Sequence, residues 1–582
     1  MSSSTKPITF IMNDIIITHD KLGAIKCLHN PAASLLKIQG LPYGTIPQRF
    51  ARSKVVRHFN DTENARHVNG VFDASKPGAS SIQPWGSVQS DAESIPLPTD
   101  NLKDNEGQSE DCLNLSIHLP LACLDEDNNL RKDAHVPILV FIHGGAFIVG
   151  SGNRPYYNPA NLVQHAHNRG TPIIFVAINY RLGALGFWHS NRVADLLPEN
   201  NGLYDQEIAF EWLRDNMTGF GGDISNVTII GQSAGGQSIS VQSMRRPLFK
   251  RAILLSGTAV TMPPMTPEEH HQTFVAHADK LGIRTKGQDG KERDAREIAK
   301  EVINIDVAKI RDLRWVGSPC TKSELFPVER PSMKLIKQGK LAPPDWRDWA
   351  QPVEAQVIGT TTYDGGVFFH MISKDKSRKD HAKSFKCISS NVLGAVNGEE
   401  LCEIYGITSN SEDPDALQRI CLFESDIDYF AAALCDAESG LVENTYFQIF
   451  DLPDPFPGSL PEPGVFATHA FDIVTILGGI HEDRLPKEYM PVISRWRDII
   501  LDFTANGTPP CLPYHGNSQS SADRSALLID QHGVRNIGCH EYMENDNRRR
   551  ARLFELAYKV AGDDGLDILS VDICQRFLMR GE

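Results

Sequence analysis

In the first half of the chain stands the sequence Val227-Thr228-Ile229-Ile230-Gly231-Gln232-Ser233-Ala234-Gly235. Its first four residues predict a short buried strand, and the small residues that follow can open a helix. Glycine-x-serine-x-glycine between a strand and a helix is the pattern of a nucleophile elbow, a turn so tight that it excludes large neighbours and holds the serine hydroxyl above the sheet edge. The alternative is a chance match, but the flanking strand and helix favour Ser233 as a nucleophile.

Two further apolar runs precede this motif, at Val136–Ile142 and at residues 172–178. Short β-branched runs of this kind are typical of strands buried on both faces of a parallel sheet. Between the second run and the serine motif, residues 205–217 carry four apolar side chains at helical spacing: Ile208, Ala209, Trp212 and Leu213. Strand, helix and strand in this order predict an α/β fold with a large, mostly parallel central sheet flanked by helices.

A glycine-rich turn follows the first of these runs, with the sequence His143-Gly144-Gly145-Ala146-Phe147. When a nucleophile attacks a carbonyl group, successive backbone N–H groups in such a turn can donate to the oxyanion that forms. A purely structural turn is the alternative. The position of this turn upstream of an elbow serine, as in lipases and esterases, favours the oxyanion role.

The serine motif and its surroundings resemble the signatures of the type-B carboxylesterases, a family of carboxylesterases, cholinesterases and certain fungal lipases. The resemblance covers roughly residues 10 to 500 and rests on five segments: Gly40-Leu41-Pro42-Tyr43, Glu110-Asp111-Cys112-Leu113-Asn114-Leu115, Asn179-Tyr180-Arg181, Asn201-Gly202-Leu203-Tyr204-Asp205-Gln206, and Phe220-Gly221-Gly222 leading into Ser233. It implies one α/β-hydrolase domain over residues 1–582, with helical insertions.

The resemblance also assigns the remaining site residues. It implies that the backbone N–H groups of Gly145, Ala146 and Ala234 form the oxyanion hole. It places the triad acid at Asp364, in Thr362-Tyr363-Asp364-Gly365-Gly366, and the base at His469, in Ala467-Thr468-His469-Ala470. Both follow the chain order serine, acid, histidine of this fold.

Each assignment has an alternative. Many family members carry Glu at the position of Asp364, and Asp-Gly is also a common surface turn. Glu354 is the nearest rival, although it precedes the apolar strand instead of following it. The other late histidines lie in polar stretches typical of solvated side chains: His481, His515, His532 and His540.

These residues imply an esterase that forms an acyl-enzyme on Ser233, with no metal and no organic cofactor. An acyltransferase, thioesterase or lactonase with the same triad is an alternative, because the pocket walls select the acceptor. A non-catalytic, cholinesterase-like binding protein is a further alternative, but it would be expected to lack a triad residue.

Composition narrows the partners and the location. The formal net charge of −15 argues against nucleic acid and anionic membranes, because both attract basic surfaces. No run of about 18 apolar residues occurs. Residues 1–20 alternate apolar and polar residues without a secretory signal and predict a first strand.

The cysteine pattern also points to a location. The eleven cysteines include no Cys-x-x-Cys pair. The upstream partner that secreted family members offer to Cys112 is replaced by Ser81-Ile82-Gln83, and no cysteine lies between Cys123 and Cys320. We therefore predict a cytoplasmic member.

Four segments outside the core motifs complete the prediction. Residues 80–110 predict a surface flap, largely a loop, and residues 505–547 a second polar loop region. Residues 280–314 predict helices of an insertion or of a second lobe, and residues 548–562 a surface helix. The flap is acidic, so we expect soluble, short-to-medium or polar esters as substrates, without activation at a lipid interface. Over residues 81–112, the segment that corresponds to the lid of family lipases, the charged residues are Asp91, Glu93, Asp100, Lys103, Asp104, Glu106, Glu110 and Asp111.

Overall fold

A computed structural model describes residues 12–59, 66–98, 107–245, 249–313, 317–342, 353–458, 460, 462–479, 482–514 and 524–579. The strands of this part of the chain are β1 Asn13–His19, β2 Gly23–Asn30, β3 Leu35–Pro42, β4 Gly44–Thr45, β5 Lys54–Val55, β6 His67–Val68, β7 Val71–Asp73, β8 Asn114–Pro120, β9 Val136–Ile142, β10 Ile174–Ile178, β11 Gly222–Gln232, β12 Arg251–Leu255, β13 Ala355–Thr361, β14 Asn444–Asp451, β15 Ser525–Asp530 and β16 Gly533–Gly538.

The helices surround these strands. They are α1 Ser87–Ser94, α2 Ala160–Asn168, α3 Gly183–Phe187, α4 Asn201–Asn216, α5 Ala234–Ser243, α6 Pro267–Lys280, α7 Ala295–Ile303, α8 Val307–Arg311, α9 Met333–Lys337, α10 Gly366–Lys374, α11 His381–Leu393, α12 Ala395–Ile404, α13 Asp413–Glu424, α14 Ala432–Ala437, α15 Phe471–Leu477, α16 Tyr489–Asn506, α17 Cys539–Ala561, α18 Gly565–Asp567 and α19 Arg576–Leu578. Two π-helical segments, Ser425–Ala431 and Ile568–Gln575, join α13 to α14 and α18 to α19.

Within the described ranges, fourteen of the strands form one sheet. Its order is β16-β15-β14-β13-β12-β11-β9-β10-β8-β3-β2-β7-β6, and β1 pairs with β2. The strands from β15 to β10 in this order run parallel to one another, whereas β8, β3 and β1 at one side and β16 at the other pair antiparallel. The predicted large, mostly parallel sheet of an α/β fold is confirmed.

The sheet separates two hydrophobic layers. Successive side chains of a strand point to opposite faces, and β9 shows the result. Ile138, Val140 and Ile142 join one cluster of buried residues, while Leu139 and Phe141 join the cluster on the other side. Burial on both faces explains why this strand is a continuous apolar run.

The flap prediction needs a correction. Residues 87–94 of the predicted loop form helix α1. Val88 and Ala92 lie one helical turn apart and are buried in a core cluster together with Ile95 and Leu97. Val88 and Ala92 add little to the apolar content of this polar stretch, so its composition does not indicate a helix. Residues 99–106 lie outside the described part.

The prediction of a polar loop over residues 505–547 is wrong beyond residue 524. Strands β15 and β16 form an antiparallel hairpin there, and α17 begins at Cys539. All six residues of β15 are buried, so this short strand is part of the core although polar residues flank it.

The remaining segment predictions fare better. Helices α7 and α8 confirm the predicted helices within residues 280–314, although residue 314 itself is not described. Residues 548–562 fall largely within α17, where Leu553 and Leu556 are buried, so this helix is packed on one side. Strand β1 begins at Asn13, and residues 1–11 lie outside the described part. In the described ranges, no helix has both the length and the apolar content needed to cross a bilayer.

Candidate active site

Ser233 lies in a strained turn between β11 and α5. Its backbone angles are φ 56° and ψ −124°, a conformation that is costly for any residue with a side chain. The turn is possible because its neighbours lack side chains: a Cβ on Gly231 would lie 2.5 Å from the carbonyl oxygen of Gly235, and one on Gly235 would overlap the carbonyl oxygen of Ile142. The sequence therefore forms the sharp strand-to-helix turn that the motif predicts.

Asp364 and His469 meet although 105 residues separate them. The Nδ1 atom of His469 lies 2.7 Å from Oδ1 of Asp364, and both side chains are buried. The second carboxylate oxygen of Asp364 accepts the backbone N–H of Thr361 at 3.0 Å. A hydrogen bond from Nδ1–H to the carboxylate leaves Nε2 of the neutral ring as an acceptor.

Backbone contacts join the segments that carry these two residues. The N–H of Tyr363 donates to the carbonyl oxygen of Ala467 at 3.1 Å. The ring of Tyr363 also stacks on Phe466, with the centroids 4.2 Å apart. The residues before Asp364 are thus fastened to those before His469, which fixes the separation of acid and base.

The Nε2 atom of His469 is occupied by a residue of the serine motif. The side-chain amide of Gln232 lies 2.9 Å from it, with Nε2 of the glutamine as donor to the neutral ring. Among the described residues, the Ser233 hydroxyl makes no hydrogen bond. In this resting arrangement, the nitrogen that a serine proton must reach is therefore held by Gln232.

The predicted oxyanion donors follow β9 and Ser233. Gly145 and Ala146 have positive φ values of 103° and 53°, so this turn departs from the strand direction at once. Over the described ranges, the N–H groups of Gly145, Ala146 and Ala234 donate to no protein acceptor. These three groups are consequently available to an external oxygen atom.

His143 has a structural place in the same turn. Its ring stacks on Tyr180 at 4.5 Å and its Nδ1 lies 2.8 Å from the carbonyl oxygen of Gly144. Burial lowers the pKa of His143 to about 3, so the ring is neutral at physiological pH. A neutral ring adds no charge beside the oxyanion donors.

Other carboxyl groups surround Asp364. Burial, and then the neighbouring Asp428 and Asp364, raise the pKa of Glu424 well above its usual range. Burial and the charge of Asp364 raise the pKa of Asp472 to about 8. Asp472 therefore keeps its proton at pH 7. Tyr429 covers the base, with its ring edge-on to His469 at 5.3 Å between centroids.

The rival residues lie elsewhere. Glu354 directly precedes β13, at the end opposite to Asp364, and its exposed carboxylate pairs with Lys250 at 3.4 Å. A seven-residue strand spans about 23 Å, so Glu354 cannot reach His469. His532 and His540 are exposed, and His481 and His515 lie outside the described part.

The described residues contain no cluster of three His, Cys, Asp or Glu side chains arranged to bind a metal ion. Sequence reasoning missed Gln232, Tyr429 and Gln83, whose carboxamide bonds to both backbone groups of Gly150. Gln232 stands inside the serine motif, so its position was visible but its orientation was not. Tyr429 lies in a π-helical segment, and no local pattern marks it as a neighbour of His469.

A family model for the carboxylesterase family matches residues 38–536. The para-nitrobenzyl esterase of Bacillus subtilis is 30% identical over 375 residues, which are 63% of this chain and 66% of that protein. An inactive carboxylesterase-like protein of Byssochlamys spectabilis is 32% identical over 225 residues, 38% of this chain and 36% of that protein.

The aligned regions thus span just under two thirds of the first relative and little more than a third of the second. A solved structure of a thermophilic PNB esterase covers 92% of this chain and 99% of its own, with a TM-score of 0.63 and 23% identity, which establishes the shared fold. The predicted α/β-hydrolase fold is confirmed, and the extent of the family match leads to one conclusion. The chain belongs to the carboxylesterase family.

Proposed function

We propose that this protein is a serine carboxylic-ester hydrolase that works through an acyl-enzyme on Ser233. The 2.7 Å hydrogen bond between His469 and Asp364 supports this proposal most directly, because it orients Nε2 of the ring as the proton acceptor. The free N–H groups near Ser233 provide the second requirement, a place for negative charge on the attacked carbonyl oxygen.

The chemistry follows from these positions. Substrate entry exchanges the Gln232 hydrogen bond on His469 for one from the Ser233 hydroxyl. His469 takes the hydroxyl proton as the serine oxygen bonds to the ester carbon, and the oxyanion receives hydrogen bonds from Gly145, Ala146 and Ala234. The imidazolium then gives its proton to the departing alcohol oxygen as the ester C–O bond breaks. Water repeats the sequence on the acyl-enzyme and releases the acid.

Soluble esters with short-to-medium or polar acyl groups are the proposed substrates. The flap carries charged groups at its described surface, among them Glu93, which pairs with Lys374 at 2.6 Å. Such a surface offers little apolar area to a lipid phase. A panel of esters of graded acyl length, with thioesters, lactones and competing alcohols, would distinguish this activity from that of a thioesterase, lactonase or acyltransferase.

A reducing compartment, such as the cytoplasm, is the proposed location. All eleven cysteines are free, and ten of them are at least partly buried. Burial raises the pKa of the Cys27 and Cys123 thiols to about 12. Thiol titration of native-source protein, denatured without reductant, should therefore find close to eleven thiols; two or three disulfides would contradict this location.

The central experiment replaces the nucleophile. Ser233→Ala should lower the kcat of ester hydrolysis by roughly 10⁴-fold or more. In the wild-type protein, a fluorophosphonate probe should label only the peptide that contains Ser233. Ser225→Ala is the matched control, because Ser225 is an exposed residue of the same strand and bonds only to Asp223. Retention of activity by Ser233→Ala would refute the proposal.

A further inference from the structure

Gln83 belongs to the flap but contacts Gly150, three residues after the glycine-rich turn at residues 143–147. Its side chain is only 2% exposed. The carboxamide bonds to both backbone groups of Gly150: the N–H of Gly150 donates to Oε1 at 2.9 Å, and Nε2 donates to the carbonyl oxygen at 2.9 Å. The side chain of Gln83 thus fixes the position of both the N–H and the carbonyl group of Gly150.

Gly150 is packed directly against the start of the same turn. Its φ is 114°, and a Cβ at this position would lie 2.5 Å from both the carbonyl oxygen of Gly144 and Nδ1 of His143. Residues 143–150, here called the oxyanion loop, are also joined by hydrogen bonds to one another. The N–H groups of Ile148 and Val149 both donate to the carbonyl oxygen of Gly145, at 2.9 and 3.0 Å. A displacement of Gly150 therefore moves the residues that present the donors.

The same carboxamide connects the loop to helix α1. Oε1 of Gln83 also accepts from the guanidinium of Arg154 at 2.9 Å and from the hydroxyl of Ser87 at 3.0 Å. Arg154 donates to Ser87 as well, at 2.8 Å. Ser87 is the first residue of α1, so the start of this helix and the oxyanion loop share one buried hydrogen-bonded centre.

We propose that Gln83 is a positioning residue for the oxyanion hole, and that the segment from Gln83 to the end of α1 is a fixed support for the oxyanion loop and does not open as a lid. The proposal rests on the proposed ester hydrolysis through Ser233. The buried carboxamide of Gln83 uses its oxygen and both amide hydrogens, since Nε2 donates to the carbonyl oxygens of Ser81 and Gly150. A buried group bonded in this way holds a single geometry, and small displacements of oxyanion donors are costly to the transition state.

The test replaces Gln83 with methionine, which has a similar length but no amide. Gln83→Met should lower kcat for a soluble ester by roughly 10- to 100-fold with KM changed less than about threefold, since the oxyanion contacts act in the transition state. Affinity for a trifluoromethyl ketone, which forms a tetrahedral adduct on the serine, should fall by a similar factor. If Gln83 contributed only to packing, Gln83→Met would lower the melting temperature without an equal loss of kcat and inhibitor affinity.

Two further variants complete the design. Gln89→Met is the matched control, because Gln89 is exposed in α1 and bonds only to Glu93. Gln83→Glu keeps the acceptor for Arg154 but sets an oxygen against the carbonyl oxygen of Gly150, and should lower kcat and inhibitor affinity together by at least about threefold. It decides the question if Gln83→Met does not fold.

The outcomes separate the two proposals. Wild-type kcat and inhibitor affinity in both Gln83 variants, with Ser233→Ala inactive, would overturn the role of Gln83 and leave the hydrolase intact. Activity in Ser233→Ala would overturn the hydrolase mechanism itself. A parallel loss of kcat and inhibitor affinity at Gln83, absent from Gln89→Met, supports both.

Discussion

The hydrogen bond from Gln232 to His469 gives the resting site a defined starting state. A neutral imidazole has one acceptor nitrogen, so the amide and the serine hydroxyl compete for it. Once the ring is protonated, a carboxamide can turn and accept through its oxygen atom. Gln232 can therefore hydrogen-bond to His469 whether the ring is neutral or protonated. A carboxylate at the same position would favour the protonated ring.

Replacement of Gln232 by glutamate should thus change the pH dependence of the reaction. A carboxylate 2.9 Å from the ring nitrogen favours the imidazolium, so the acidic limb of kcat/KM should move to higher pH by about one unit. The measurement is kcat/KM for a soluble ester from pH 5 to 9 in Gln232→Glu. Gln89→Glu adds the same charge at an exposed site and should leave the limb in place. An unchanged limb in Gln232→Glu would mean that the side chain does not act on His469.

The choice of Asp364 over Glu354 is a second question at the scale of one residue. Asp364→Asn keeps the shape of the side chain but removes the carboxylate that orients Nδ1–H of His469. We expect kcat to fall by roughly 10²- to 10⁴-fold while the melting temperature changes little. Glu354→Gln, which removes only an exposed ion pair with Lys250, should leave kcat unchanged. The reverse result would move the acid to Glu354.

Among the elements, the loop that carries the base depends on one buried carboxyl group. Residues 454–469, here called the histidine loop, begin at Asp454, whose Oδ2 accepts from the hydroxyl of Thr468 at 2.6 Å and whose Oδ1 accepts from the N–H of Phe456 at 2.9 Å. The N–H of Asp454 also donates to the carbonyl oxygen of Phe466 at 2.8 Å. Both ends of the loop are thus closed next to His469.

This closure should make stability depend on pH. Burial raises the pKa of Asp454 from 3.8 to about 8, so the folded protein keeps this proton while the unfolded chain loses it near pH 4. Its contribution to stability is therefore present below pH 4 and declines as pH rises to about 8. Asp454→Asn does not titrate, so the free energy of unfolding of this variant relative to wild type should increase between pH 5 and 8, by up to about 1.4 kcal/mol per pH unit.

Denaturant unfolding of both proteins at pH 5 and pH 8 provides the comparison. Tyr489 is a second titratable group on which the charge of Asp454 acts. Burial is the main reason that the pKa of Tyr489 is raised, so its hydroxyl stays protonated between pH 5 and pH 8. Asp502→Asn is a control, because Asp502 forms only a surface pair with Arg169. An equal difference between wild type and Asp454→Asn at both pH values would show that Asp454 does not carry a proton in the folded state.

How far each element could be predicted depends on how its residues are buried. Strand β9 has its predicted bounds because burial on both faces makes every residue apolar. Helix α1 and strand β15 escaped prediction because each is short and surrounded by polar residues. The oxyanion loop could be located from its glycines, but the hydrogen bonds of Gln83 to Gly150 join residues 67 positions apart and leave no periodic signal.

At the scale of the whole molecule, the site follows from the order of the strands. Ser233 follows β11, Asp364 follows β13 and His469 follows β14, and these strands lie on the same side of β9 in a parallel sheet. Parallel strands end at one edge, so chain order alone brings the three residues to that edge. Their side-chain orientations depend on tertiary contacts such as those of Tyr363 and Tyr429, which no chain-order rule contains.

The last prediction concerns the response of the whole protein to a lipid surface. A lipase activated at interfaces must expose apolar area when its lid moves, but in α1 the apolar face is already packed in the core through Val88 and Ala92. Asp91 on the same helix accepts from the hydroxyl of Tyr156 at 3.0 Å, next to the centre formed by Gln83. Moving α1 would break these contacts and expose core residues at about 25 cal/mol per Å². We therefore expect activity against a short-chain ester to level off with concentration, without a rise where the ester exceeds its solubility.

The assay follows initial rates across that solubility limit, for wild type and for Glu93→Gln. Glu93→Gln removes the pair with Lys374, worth at most about 1 kcal/mol, and weakens the contacts of Glu93 with Gln89 at 3.0 Å and His370 at 3.8 Å. It leaves the buried face of α1 unchanged, so its profile should match that of wild type. Wild type and Glu93→Gln should both stay inactive on long-chain triacylglycerol emulsions, because the buried face of α1, and not the pair with Lys374, holds this segment in place. A sharp increase above the solubility limit together with turnover of such emulsions would instead identify residues 80–110 as a mobile lid and the enzyme as a lipase.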